Sequence, residues 1–218
     1  MTRPIEEQDR LKKLEIFKEK GINPFPARSN RQNTCLEAFD SAEDSSVITA
    51  GRIMSKRVMG KLCFCNIQDG TKKIQTAFTK KDLGDDLFKD FTRLFDMGDF
   101  IEVTGTMFTT HKGEKTILVK EYKLLTKAIK PLPEKFHGLQ NEEERLRKRY
   151  LDILLDPELK ELFLKKAVFW NSMRDFLSKK GFLEVETPVL ETTAGGADAN
   201  PFVTHHDALD LEVYLRIS

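Results

Sequence analysis

What the chain has little of narrows it first. No apolar run approaches the ~20 residues that a membrane-spanning helix needs, and no signal-peptide core follows Met1; a soluble, cytosolic (cytoplasmic) protein is expected. Charge of one sign is also missing: 36 Lys and Arg stand against 35 Asp and Glu, a net charge of +1. A chain so balanced exerts no whole-molecule pull on nucleic acid, so any such contact must be made by local patches and by stacking. Cysteine is scarce, with three residues, two of them in Cys63-Phe-Cys65. That suits a reducing compartment rather than a disulfide framework. A zinc site on the pair would need two more ligands, and none lies nearby in sequence, so two small buried strand residues are the preferred reading.

With 218 residues the chain has room for one large or two modest domains. Residues 1–46 read as an N-terminal helix, with Leu11, Leu14, Ile16 and Phe17 among charges and Gly21 at its end, followed by an extended connector with one short helix. Over 47–126 the pattern changes to short strands: 47–58, 62–68, 73–78, 100–110 and 116–125. Asp69-Gly70 and Lys112-Gly113 mark two hairpins. Between the third and fourth strands, residues 80–95 space Leu83, Leu87, Phe88, Phe91 and Leu94 as a helix does. Three strands, a helix and two strands fit a five-stranded Greek-key barrel of the oligonucleotide-binding (OB) type; an SH3-like barrel is the competitor, but it would not normally place a helix there. Pro131, Pro133 and Gly138 make 127–141 a stiff hinge. Beyond it Asn141 can cap a helix starting at Glu142. A second helix over 157–180 carries a broad apolar face that must pack on something large, a sheet or a partner subunit. Residues 181–190 read as an extended segment buried on one side, and 208–217 as a sheet strand.

Alternation puts Leu62, Phe64, Asn66 and Gln68 on one face of the second strand, a polar face with one aromatic in its middle. Such a ring is a candidate stacking platform for bases, worth ~1–3 kcal/mol per base, with Gln75 beside it for base edges. Arg57 and Glu114 fall where a barrel of this kind takes its remaining contacts. The competing reading has Phe64 packed against the connecting helix. The basic residues Arg145, Arg147, Lys148 and Arg149 could touch a nucleic-acid backbone or pair with Glu142 to Glu144. Gly195-Gly196 allows close backbone approach to a ligand, or is a plain turn. His205-His206 could suggest a metal, but one buried and one exposed histidine on a strand is the favoured reading.

Gly181-Phe-Leu-Glu-Val-Glu-Thr-Pro-Val-Leu190 resembles motif 1 of class II aminoacyl-tRNA synthetases. Residues 51–61 (Gly-Arg-Ile-Met-Ser-Lys-Arg-Val-Met-Gly-Lys), Phe64 and Ile67-Gln-Asp69 resemble the anticodon-binding barrel of bacterial-type class II lysyl-tRNA synthetases. Residues 124–139 and 145–152 resemble that family's hinge and the approach to its catalytic domain. The similarity runs from about Leu14 to the last residue.

The resemblance implies an OB-fold anticodon-binding domain over 47–126 and the beginning of an antiparallel-sheet α/β catalytic domain over 142–218. It also implies lysine–tRNA ligase activity with ATP and Mg2+, and tRNA-Lys and lysine as partners. It carries anticodon reading onto Arg57, Phe64, Gln75 and Glu114, a lysine contact onto Gly196 and a homodimer contact onto Pro188. Asn200 stands where many such enzymes have a basic residue, which puts only a peripheral contact in doubt. The family's ATP-binding motifs and magnesium carboxylates are absent from these residues, so anticodon binding without aminoacylation is expected of the 218-residue chain. A stand-alone tRNA-binding or regulatory module stays open. So does part of an aspartyl- or asparaginyl-tRNA synthetase, although Gly195-Gly-Ala197 and Tyr214-Leu-Arg-Ile217 argue against it.

Overall fold

The computed structural model describes residues 4–133, 139 and 141–217; hinge residues 134–138 and 140 lie outside these. The chain divides into two compact units, Met1–Gln140 and Asn141–Ser218. No described helix is long and apolar enough to cross a membrane.

In the first unit, helix α1 (Ile5–Glu19) buries Arg10, Leu14 and Phe17 on one stripe. Gly21, at φ 71°, turns the chain away. Arg10 donates to the carbonyls of Met97 and Ala128, and Lys13 pairs with Asp96 at 2.8 Å. Helix α2 (Cys35–Asp40) is the short helix expected in the connector. Its Thr34 and Glu37 form a capping box, which satisfies two of the backbone N–H groups a helix start leaves open.

Five strands follow: β1 (Ser46–Met59), β2 (Leu62–Gln68), β3 (Lys73–Thr79) and, after a helical connection, β4 (Phe100–Thr109) and β5 (Lys115–Thr126). They close into a barrel in the order β1-β2-β3-β5-β4. Closure runs through a parallel contact, Gln75↔Thr116 to Ala77↔Leu118, and an antiparallel β1–β4 ladder. This is the OB-type topology, and it removes the exposed sheet edges that would invite aggregation. Ile53, Cys63, Cys65, Ile67, Ile74, Ile101, Val103, Ile117 and Val119 fill the interior. Both cysteines of the second strand are therefore small buried strand residues. Gly105 permits the tightest approach in the barrel, because a Cβ there would lie 2.3 Å from the carbonyl oxygen of Leu118.

The helix expected over 80–95 is two helices, α3 (Lys80–Leu83) and α4 (Asp85–Leu94), separated by Gly84 at φ 80°. A left-handed residue cannot sit inside a helix, and glycine adopts that conformation without a Cβ clash. Phe88, Phe91 and Leu94 of α4 are buried, whereas Leu87 of the same spacing is exposed. Phe91 stacks on Phe78 with ring centroids 3.6 Å apart, and Phe95 and Tyr122 complete the cluster. Each such pair adds ~0.5–1.5 kcal/mol to the burial itself. Beside this cluster, fully buried Lys127 pairs with Asp99 at 2.7 Å and Asp96 at 2.6 Å, and also donates to the carbonyl of Leu94.

In the second unit Asn141 caps α5 (Glu142–Arg147) through the backbone N–H of Glu144. Helices α6 (Arg149–Leu155) and α7 (Pro157–Lys179) follow. The apolar face of α7 is exposed in this unit, with Leu162, Phe169 and Phe176 each about 60% accessible. A three-stranded antiparallel sheet has the order β6 (Leu190–Glu191), β8 (Leu211–Leu215), β7 (Val203–His206).

Three expectations are corrected here. Residues 181–190 are exposed rather than buried on one side, and only Leu190 and Glu191 pair in a strand. Among the described residues the stretch before them has no neighbouring strand to complete a ladder. The strand expected over 208–217 is Leu211–Leu215, because a 3-10 turn over Asp207–Leu209 precedes it. His205 and His206 are both exposed, since β7 is a sheet edge with neither face covered.

Asp69 ties the β2–β3 turn to the start of α2. Its carboxylate accepts from the Cys35, Thr71 and Lys72 backbone N–H groups and from the Thr71 hydroxyl. Burial alone would raise its pKa, but these donors outweigh it and hold the pKa at about 2, against an ordinary 3.8. Ionised Asp69 therefore contributes stability above pH 3.8, and that contribution is lost as pH falls towards about 2. Asp69→Ala is expected to lower stability by about 1–2 kcal/mol at neutral pH. In urea titrations at a series of pH values, the gap between variant and parent should narrow on acidification across that window; a constant gap would contradict it.

Candidate nucleic-acid interface

The outer face of the barrel is set by one irregularity in β1. Ile53 pairs with Ile67 and Ser55 pairs with Asn66, so Met54 is an extra residue, a β-bulge. Before it, Val47, Thr49, Gly51 and Ile53 point inward, as alternation requires. Without the bulge, the same period would send Ser55 and Arg57 into the core and Lys56 out. The bulge reverses this, as bulges do when they re-aim side chains.

Two rows of side chains result. One runs Arg57↔Phe64↔Ala77 across β1, β2 and β3; the other runs Ser55↔Asn66↔Gln75 and continues to Thr116 on β5. Phe64 is half-buried on this face and belongs to neither the core cluster nor the Phe78–Phe91 stack. The reading in which it packs against the connecting helix is therefore not what the structure has. The β4–β5 hairpin supplies the rim: Gly113, at φ 81°, and hydrogen bonds from Thr110 and Glu114 close a tight loop that presents Lys112 and Glu114. Together Ser55, Lys56, Arg57, Phe64, Asn66, Gln75, Lys112 and Glu114 line an open hollow of about 370 Å³.

The four residues singled out in sequence, Arg57, Phe64, Gln75 and Glu114, thus meet in one hollow. Ser55 and Lys112 had not been picked out. No periodicity rule reveals Ser55, whose face depends on the bulge, and Lys112 reads in sequence only as half of a turn. Lys56 borders the hollow too, but its charge is not turned towards it. Its ammonium turns inward and donates to the carbonyls of Phe91, Thr92 and Phe95 at the end of α4, at 3.0, 2.8 and 2.6 Å. Burial depresses its pKa, yet a cation at a helix C-terminus satisfies carbonyls that the helix leaves open.

Among the described residues, Arg57, Lys112 and the Glu114 carboxylate make no ion pair, so both signs of charge remain available to a ligand. Gln75 donates from Nε2 to the Thr116 hydroxyl at 2.9 Å, and Asn66 donates from Nδ2 to the Ser55 hydroxyl at 2.8 Å. An aromatic ring ringed by amides, two free cations and one free carboxylate can stack a flat heterocycle and address its edge.

The other candidates lie in the second unit. Gly196 takes φ 103° in an exposed loop, and Pro188 is exposed just before β6. The preceding Thr187 accepts from Arg216 through its carbonyl and its hydroxyl. The basic run is matched with acids inside the unit: Arg147 with Glu143, Lys148 with Glu144, and both Arg145 and Arg149 with Asp152.

Comparison with known proteins agrees with this architecture. Residues 47–125 match the family described as OB-fold nucleic acid binding domain, and residues 141–218 match tRNA synthetases class II (D, K and N). By these matches and the relatives below, the chain is similar to class II aminoacyl-tRNA synthetases. Within them it corresponds to the N-terminal portion of the lysyl-tRNA synthetases. It is 44% identical over 215 residues to the lysine–tRNA ligase of Clostridium novyi, which covers 97% of this chain and 42% of the relative. The lysine–tRNA ligases of Pelotomaculum thermopropionicum and Carboxydothermus hydrogenoformans are each 46% identical over 212 residues, 96% of this chain and 42% and 43% of the relatives. The chain thus spans about two-fifths of the length of the curated relatives it matches.

The bulge separates a structural lysine from an exposed arginine at adjacent positions. Lys56→Met is expected to cost about 1–3 kcal/mol, because it leaves three helix-end carbonyls without their donor. Arg57→Ala should stay within about 0.5 kcal/mol of the parent. Denaturant midpoints of the two variants check this, and similar losses for both would count against the assigned register.

Proposed function

We propose that the barrel reads the anticodon loop of tRNA-Lys as the recognition part of a lysine–tRNA ligase. The observation that carries this reading is the half-buried ring of Phe64, set in the hollow beside Arg57, Asn66, Gln75 and Glu114. An unpaired uridine can lie flat on the ring while amides and charged groups meet its edge, which is how single-stranded RNA is recognised in sequence. Stacking and edge contacts of this kind need no broad positive field, in keeping with a net charge of +1.

In the whole ligase, the lysine carboxylate attacks the α-phosphate of ATP to give lysyl-adenylate and pyrophosphate, and a ribose hydroxyl at the 3′ end of the tRNA then takes the acyl group with release of AMP. On this reading Gly196 contacts lysine, the segment at Pro188 contributes to a homodimer, and the enzyme works in the cytoplasm. ATP and Mg2+ are the cosubstrate and metal of the whole-ligase reading. Among the described residues no group of three or more His, Cys, Asp or Glu is placed to hold a metal ion.

Phe64→Ala should weaken binding of a lysine anticodon stem-loop severalfold, as loss of one stacking contact of ~1–3 kcal/mol implies, with the thermal midpoint unchanged. Fluorescence anisotropy with a labelled stem-loop measures the first and circular dichroism the second. Equal affinity in variant and parent would remove the anticodon assignment.

A further inference from the structure

We infer that Thr116, a buried residue that does not line the hollow, is a positioning residue that fixes which end of the Gln75 amide faces a bound base. A threonine hydroxyl has one proton to give. That of Thr116 is directed at the carbonyl oxygen of Glu114, 3.1 Å away. Towards Gln75 it can then offer only a lone pair, which accepts from Nε2 at 2.9 Å. The NH2 end of the amide is committed to the barrel wall, and Oε1, which takes no hydrogen bond from any described residue, is left for the hollow. The two residues are register partners in the parallel β3–β5 contact that closes the barrel, so the fold itself holds the relay in place.

The chemical consequence is a choice between pyrimidines. Uracil carries a proton on N3 and cytosine does not, so a fixed carbonyl acceptor gains a hydrogen bond from one and meets a lone pair on the other. Asn66, in the same row, likewise donates from Nδ2 to the Ser55 hydroxyl, which puts its carbonyl oxygen at the other end of the amide. Arg57 and Lys112 supply donors on the same rim. Acceptors flanked by donors complement the edge of uracil, where a donor lies between two carbonyl oxygens. A freely rotating Gln75 amide would present NH2 to cytosine at little cost, and the preference would fade.

This inference rests on the anticodon reading above, and the experiment separates the two. The full 218-residue chain is titrated with a lysine anticodon stem-loop and with loops in which single anticodon uridines are replaced by cytidine. The parent should prefer uridine by about tenfold at the position Gln75 reads. Thr116→Val, which keeps the shape and removes the hydroxyl, should cut that preference to about two- to threefold with the thermal midpoint preserved. Thr116→Ser should restore it. If the valine variant does not fold, Thr116→Ala is put to the same comparison. An unchanged uridine-to-cytidine ratio, or equal weakening of every loop, overturns the positioning role. If Phe64→Ala weakens all loops while that ratio stays unchanged, only the Thr116 inference falls. If Phe64→Ala leaves binding unaltered and the parent does not discriminate, the anticodon reading falls and takes the inference with it.

Discussion

One extra residue in one strand organises the functional face of the barrel. Because strand side chains alternate with a period of two, inserting Met54 between two paired positions exchanges inside and outside for everything that follows it in β1. Lys56 is thereby sent inward to the open carbonyls at the end of α4, and Arg57 outward to lie beside Phe64. The same event that anchors the end of α4 exposes the arginine at the hollow. Stability and the lining of the hollow are consequently coupled at two adjacent residues of opposite fate, and a register slip would spoil both together.

The barrel can hold such a face in place because it is closed and pinned. The antiparallel β1–β4 ladder and the short parallel β3–β5 contact leave no free edge. At the exit of β5, Lys127 lies fully buried between Asp99, Asp96 and a helix carbonyl. Buried ion pairs are not in themselves a large net source of stability, but removing one partner is costly, because the other charge is then stranded. Asp96 also pairs with Lys13 of α1. The N-terminal helix, the α4–β4 loop and the end of β5 therefore meet in one charged junction that tolerates few alternative arrangements.

Much of this was legible in the sequence, and the failures have identifiable physical causes. The five strands and both hairpins were readable because β-branched residues and turn residues mark them, and Phe64 was readable as an aromatic in polar company. The bulge was not, since no residue at Ile53, Met54 or Ser55 announces an extra position; register is decided by pairing across the sheet. Gly84 falls within the helical spacing of residues 80–95, but its positive φ splits the segment in two. In the second unit, alternation alone suggested a buried strand over 181–190, yet a strand exists only where a neighbour completes its ladder, here at Leu190 and Glu191. The histidine pair failed for the same reason: alternation says that two side chains point to opposite faces, not that either face is covered.

The near-balance of charge then takes on a definite meaning. A protein that bound RNA through its phosphates would need a field of unpaired cations, and its affinity would fall steeply with salt. Here several basic residues are committed elsewhere: Lys56 and Lys127 to carbonyls and acids of the barrel, and Arg145, Arg147, Lys148 and Arg149 to acids of the second unit. What remains at the hollow is one arginine, one lysine and one glutamate around an aromatic ring, with two amides whose nitrogens are already bonded. On the proposed reading such a site discriminates by the pattern of donors and acceptors on a base edge rather than by attraction to a polyanion. On the proposed reading, discrimination by pattern requires that the pattern not rotate, and the Thr116 hydroxyl, whose own proton goes to the Glu114 carbonyl, holds the Gln75 amide to one orientation.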